Sequence, residues 1–102
     1  MNLRELLTEA AAGVAGVEAA AGPAGDVVWS ASGRPFAVLA GDGAAEFALD
    51  PAVAAAACRT PDVVPSRRGP DWVLFRPTML DEHGADRARA WFESAHRRLA
   101  RR

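Results

Sequence analysis

Apolar and polar positions change period several times along this chain of 102 residues, and each change marks an element. Leu3, Leu6, Leu7, Ala10 and Val14 recur at the i, i+3, i+4, i+7 spacing of one helical face. Asn2 precedes them, with Glu5 three residues on, as in a capping box; a first helix is predicted to run to about residue 13. The Ala/Gly-rich stretch from Gly16 to Gly25, with Pro23 inside it, reads as a connector. Three short strand-like runs follow, Asp26–Ala31, Pro35–Ala40 and Ala44–Leu49, parted by Ser32-Gly33 and by Gly41-Asp42-Gly43. The Asp42-Gly43 pair suits a tight hairpin turn that needs positive φ. Strict alternation puts Trp29, Phe36, Val38, Phe47 and Leu49 on one sheet face, with the bulk to be the core. Ser30, Ala37, Leu39, Glu46 and Ala48 fall on the other face, which is small and half polar and calls for a helix or a partner to cover it.

Asp50-Pro51 opens a second helix, since Asp is a favoured N-cap and Pro at the first helical position loses no hydrogen bond. Its alanine run continues to about Cys58, and Pro61 stops it. Residues 62–66 form a short extended piece. The stretch RRGPDWVLFR (residues 67–76) then combines turn chemistry at Gly69-Pro70-Asp71 with a strand over Trp72–Arg76. Along that strand Trp72, Leu74 and Arg76 face one way, and Val73 and Phe75 the other. A closing helix starts near Gly84 or Asp86, buries the stripe Ala88, Trp91, Phe92, Ala95 and Leu99, and ends among Arg97, Arg98, Arg101 and Arg102. Cations there oppose the negative end of the helix dipole. The expected order is α-β-β-β-α-β-β-α: one α+β domain over residues 1–102, with a mainly antiparallel sheet packed by helices.

Composition adds three constraints. Half of the residues are apolar, but alanine supplies much of that share; three Trp and four Phe must do most of the core filling. The single Cys58 has no partner for an internal disulfide, which fits a reducing, cytoplasmic setting. The stretch AAAGVAGV (residues 10–17) has the length of a short signal core, but Glu5, Glu9 and Glu18 bracket it and suit a helix of a soluble protein better. No apolar run approaches the roughly 20 residues of a membrane span. The third constraint is charge. The formal net charge is −1 and every basic residue is Arg, yet residues 1–58 hold two Arg against seven acids and residues 59–102 hold ten against six. An anionic partner would therefore meet the second half.

Catalytic and metal chemistry find little support. His83 and His96 lie thirteen residues apart, whereas zinc ligands recur in close pairs; Asp81, Glu82 and Asp86 suit the start of a helix instead. Cys58, near the end of an alanine-rich helix, has the setting of a small buried hydrophobe. Ser94 and His96 are two apart on a helix, so their side chains diverge and cannot pair as nucleophile and base. Gly41-Asp42-Gly43 joins two strands and leads into no helix, so it cradles no phosphate. No catalytic residue, metal or cofactor is assigned.

Two binding readings remain. Arg67 and Arg68 on a loop, Arg76 at a strand end and Arg34 beside a turn could reach the phosphates of a nucleic acid, with Trp72 as a stacking platform. The near-neutral total charge and the value of charged rims in keeping a sheet edge wet weigh against this. Alternatively, the second sheet face, if uncovered, would take a protein partner or a second copy of the chain.

The strand wording and element order resemble the MmcQ/YjbR family of small bacterial proteins. The likeness rests on Gly16-Val17-Glu18, Gly33-Arg34-Pro35-Phe36-Ala37, Asp42-Gly43, Leu49-Asp50-Pro51, Gly69-Pro70-Asp71-Trp72-Val73, and Trp91 with Ser94-Ala95. It spans nearly the whole chain, and each piece is a turn or a core position. The chain departs from the family at Ala48-Leu49-Asp50, where a lysine is usual, and at Ala95, where Ser-Tyr is common. The resemblance implies a YjbR-like fold shared with secretion-chaperone-like proteins, and a DNA-binding role drawn from a double-wing comparison.

Overall fold

The computed structural model describes residues 1–101. In chain order the elements are α1 (Leu3–Ala12), β1 (Val17–Ala21), β2 (Val27–Ala31), β3 (Arg34–Leu39), β4 (Ala45–Ala48), α2 (Pro51–Ala57), β5 (Val63–Pro65), β6 (Trp72–Phe75) and α3 (Glu82–Ala100). The six strands form one antiparallel sheet in the order β1-β2-β3-β4-β6-β5. The fold is therefore α+β, with one strand more than the alternation pattern predicts.

That extra strand lies inside the stretch expected to be a connector. Val17–Ala21 pairs residue for residue with Ala31–Val27. Three of its five residues are alanine and four are exposed, so no apolar alternation betrays it; the hydrogen-bond ladder offered by β2 decides its conformation. At the other end of the chain, α3 starts at Glu82, earlier than expected. Asp81 caps it, its Oδ1 accepting from the Gly84 N–H at 2.7 Å. The α1 capping box forms as the sequence indicates, with Asn2 and Glu5 exchanging side-chain and backbone hydrogen bonds. Asp50 departs from expectation, because its side chain makes no cap at α2. Arg98 and Arg101 from the end of α3 draw the carboxylate away instead.

Buried residues of all three helices join one face of the sheet in a single core. Phe92 of α3 is its centre, meeting Trp29 edge-on at a centroid distance of 5.7 Å and Phe36 at 5.1 Å. Trp91 packs alongside, with Phe75 at 5.4 Å and Phe47 at 6.1 Å.

The register corrects the face assignment. Trp29 pairs with Ala37, but the next residue, Ser30, pairs with Pro35, leaving Phe36 as an extra residue in β3. This β-bulge lets Phe36 and Ala37 both turn toward the helices and resets the alternation beyond them. Ala37 and Leu39 thus belong to the core. Val38, expected there, lies on the opposite face in the cross-strand row Val28, Val38, Glu46, Leu74 and Val64. No helix packs on this second face among the described residues, and neighbouring side chains bury Val38 fully.

Replacing Phe92 with Ala removes both edge contacts and leaves a cavity, which is expected to cost about 3–5 kcal/mol. Val64→Ala, at a position 53% exposed on the second face, should stay within about 0.5 kcal/mol. Urea denaturation of the two variants measures the difference.

Candidate nucleic-acid interface

Strand register decides which arginines can act together. Val17 pairs with Ala31, Ala31 with Arg34, Ala48 with Trp72 and Pro65 with Val73, so these positions mark one end of the sheet. The Ser32-Gly33 turn, the exit from β4 and the loop from Ser66 to Asp71 share that end. Ser32 and Gly33 both have positive φ, 52° and 75°, as a two-residue hairpin turn requires. The hairpin delivers Arg34 to this end, and the β5–β6 loop delivers Arg67 and Arg68. Arg76 follows Phe75, which pairs with Ala45 and Val63 at the opposite end. Of the four arginines picked out in the sequence, three are brought together and one is not.

The end of α3 meets the same rim. A groove of about 590 Å³ runs between α3 and the start of β1, lined by Gly16, Ser32, Arg34, His96 and Leu99, among others. His96 anchors its floor: Nε2 lies 3.2 Å from the Ala15 carbonyl oxygen, to which an Nε2–H donates, and the ring sits edge-on to Phe36 at 5.6 Å. Arg98 and Arg101 are held by Asp50, whereas Arg97 is exposed. Arg34, Arg67 and Arg97 make no ion pair among the described residues. Arg102 lies outside the described residues.

Arg68 and Arg76 are engaged within the molecule. Arg68 reaches back over the second sheet face, and its Nε donates to Glu46 Oε2 at 2.8 Å. The Ser66 hydroxyl donates to the other Glu46 oxygen, and the Arg68 N–H donates to the same Ser66 oxygen at 3.1 Å. The Arg68 guanidinium also lies 5.9 Å from the Trp72 ring centroid. Glu46 is 8% exposed, so this cluster supplies the partners that its buried carboxylate needs. Trp72 stands outside the core cluster, on the second face, and its ring carries Arg68. Asp71, beside it, has φ 67°, and the Trp72 N–H donates back to the Gly69 carbonyl at 3.3 Å, completing the turn expected from the sequence.

At the far end Arg76 Nη1 donates to Asp42 Oδ2 at 2.5 Å, and the Ala44 N–H donates to Oδ1 at 3.1 Å. The Arg76 hydrogen bond, with the backbone donor second, holds the Asp42 carboxyl below its ordinary pKa. Gly43, at φ 94°, supplies the positive φ expected in this hairpin. The described residues bring no three His, Cys, Asp or Glu side chains together as a metal site. None of their helices is long and apolar enough to cross a membrane. No protein family, curated protein or solved structure compared with the chain matches it.

Local spacing assigns Arg97 only a role at the helix end. Its place at the same end of the sheet as Arg34 follows from the way α3 lies across the sheet, which no local spacing records. Arg68→Ala should destabilise the protein by about 1–2 kcal/mol in urea denaturation, because Glu46 keeps only Ser66 as a partner. Arg76→Ala should raise the Asp42 titration midpoint toward its ordinary value, read from the side-chain carboxyl carbon by NMR. The sign follows from linkage. A carboxyl with a lowered folded pKa favours the folded state above its unfolded pKa, and that contribution fades as pH falls through the folded value.

Proposed function

We propose that this chain is a small binding protein of MmcQ/YjbR type, and that its arginine-bearing end engages the phosphate backbone of nucleic acid. One observation carries the reading: Arg34, Arg67 and Arg97 are exposed and without ion-pair partners around one rim. Guanidinium groups on turns and helix ends meet phosphate oxygens through charge-assisted hydrogen bonds without reading bases. Within this reading Arg34, Arg67 and Arg97 make the contacts, and Arg68 and Arg76 support the fold. Asp71 shares the β5–β6 loop and keeps the affinity modest.

Fluorescence anisotropy with labelled duplex DNA at several salt concentrations tests this. Three phosphate contacts predict a slope of about −2.7 in log K against log salt. The double variant Arg34→Ala/Arg67→Ala should flatten that slope by about 2, and Arg76→Ala, at the other end, should leave it unchanged. Absence of binding at low salt would sink the proposal.

A second reading has its own support in the uncovered sheet face. Val64 is 53% exposed there, beside the half-buried Leu74, an arrangement that suits an apolar protein surface in a chaperone-like role. Binding at this face would respond to Val64→Asp and be little affected by salt.

A further inference from the structure

The sheet ends in two edge strands of different character. β5 is three residues long and closes on Pro65, which has no N–H to offer a further strand. β1 runs five residues, Val17-Glu18-Ala19-Ala20-Ala21, and pairs only with β2. It carries no proline and no bulge, and its one charged side chain is Glu18. Glu18 through Ala21 are all exposed.

The hairpin at the end of β1 sets the direction of its backbone groups. The Gly22 N–H donates to the Asp26 carbonyl at 2.8 Å, and the Gly22 carbonyl accepts from the Gly25 N–H at 3.3 Å. Gly25, at φ 82°, occupies the left-handed position that such a three-residue loop requires. Gly22 thus turns both groups toward β2. Alternation then turns those of Ala20 and Glu18 inward, and those of Val17, Ala19 and Ala21 outward, where no strand meets them.

We infer that β1 is a self-association edge: a second copy of this chain lays its own β1 antiparallel to it, about a twofold axis at Ala19. In that register Ala19 faces its counterpart, and Val17 faces Ala21 of the second copy. Every outward N–H and C=O of the two strands then finds a partner. Glu18 faces Ala20 of the second copy, so the two Glu18 carboxylates are offset along the strands and never directly opposed. Gly16 faces Gly22, and the alanines allow the backbones to close to the usual 4.7–4.9 Å strand spacing. This palindromic fit of hydrogen bonds, size and charge is what selects a second copy as the occupant. The inference is independent of nucleic-acid binding.

Light scattering on a sizing column, from micromolar to near-millimolar protein, should show a monomer–dimer equilibrium. Ala19→Pro removes an outward N–H and leaves the ladder to β2 intact, so it should give a folded monomer with an unchanged circular dichroism spectrum. In the unsubstituted protein, hydrogen exchange followed by NMR should slow with concentration at the Val17, Ala19 and Ala21 amides. The Glu18 and Ala20 amides should not respond. A monomer at all concentrations, a dimer that survives Ala19→Pro, or an Ala19 amide insensitive to concentration would overturn the inference. If Ala19→Pro does not fold, the exchange measurement decides alone.

Discussion

Phe92 can wedge between Trp29 and Phe36 only because β3 carries one extra residue. A regular strand would send Phe36 and Ala37 to opposite faces, and the aromatic contact to α3 would be lost. The bulge turns both inward and shifts every later residue of β3 by one face. Leu39 enters the core as a result, and Val38 leaves it for the second face. One ladder irregularity thus decides which side chains meet α3 and what the uncovered face is made of. α3 in turn carries His96 to the rim where Arg34 emerges.

The arginines divide by the company they keep. With no lysine in the chain, the same residue type serves both packing and exposed charge. Arg68 satisfies the buried Glu46 and covers Trp72, Arg76 fastens the β3–β4 hairpin through Asp42, and Arg98 and Arg101 tie α3 to Asp50. Those tasks consume charge that a count of basic residues would assign to a partner. Among those without an ion pair, Arg34, Arg67 and Arg97 lie toward one end of the sheet. A near-neutral protein can therefore still present a local positive rim.

Much of the fold is legible in the order of residues alone. The α1 capping box, the Asp42-Gly43 and Ser32-Gly33 turns, and the division of Trp72 and Leu74 from Val73 and Phe75 all follow from short-range chemistry. Each depends on residues close in the chain, so local sequence suffices. β1 is hidden from such a reading because an alanine strand has no alternation to display, and only its pairing with β2 makes it a strand. The N-cap expected of Asp50 fails for a related reason, since the competing arginines lie far along the chain in α3.

By itself the sequence determined an α+β chain with antiparallel hairpins, an aromatic core and a second half rich in arginine. Hydrophobic period, turn residues and charge counts are local quantities, and they carry that far. The tertiary structure decided the parity of β3, the existence of the free edge strand and the sorting of arginines into paired and exposed. Each of these depends on partners distant in sequence, brought into register by the sheet and by the crossing of α3. Local pattern cannot encode such distances, and so the candidate interface became visible only once the strands were aligned.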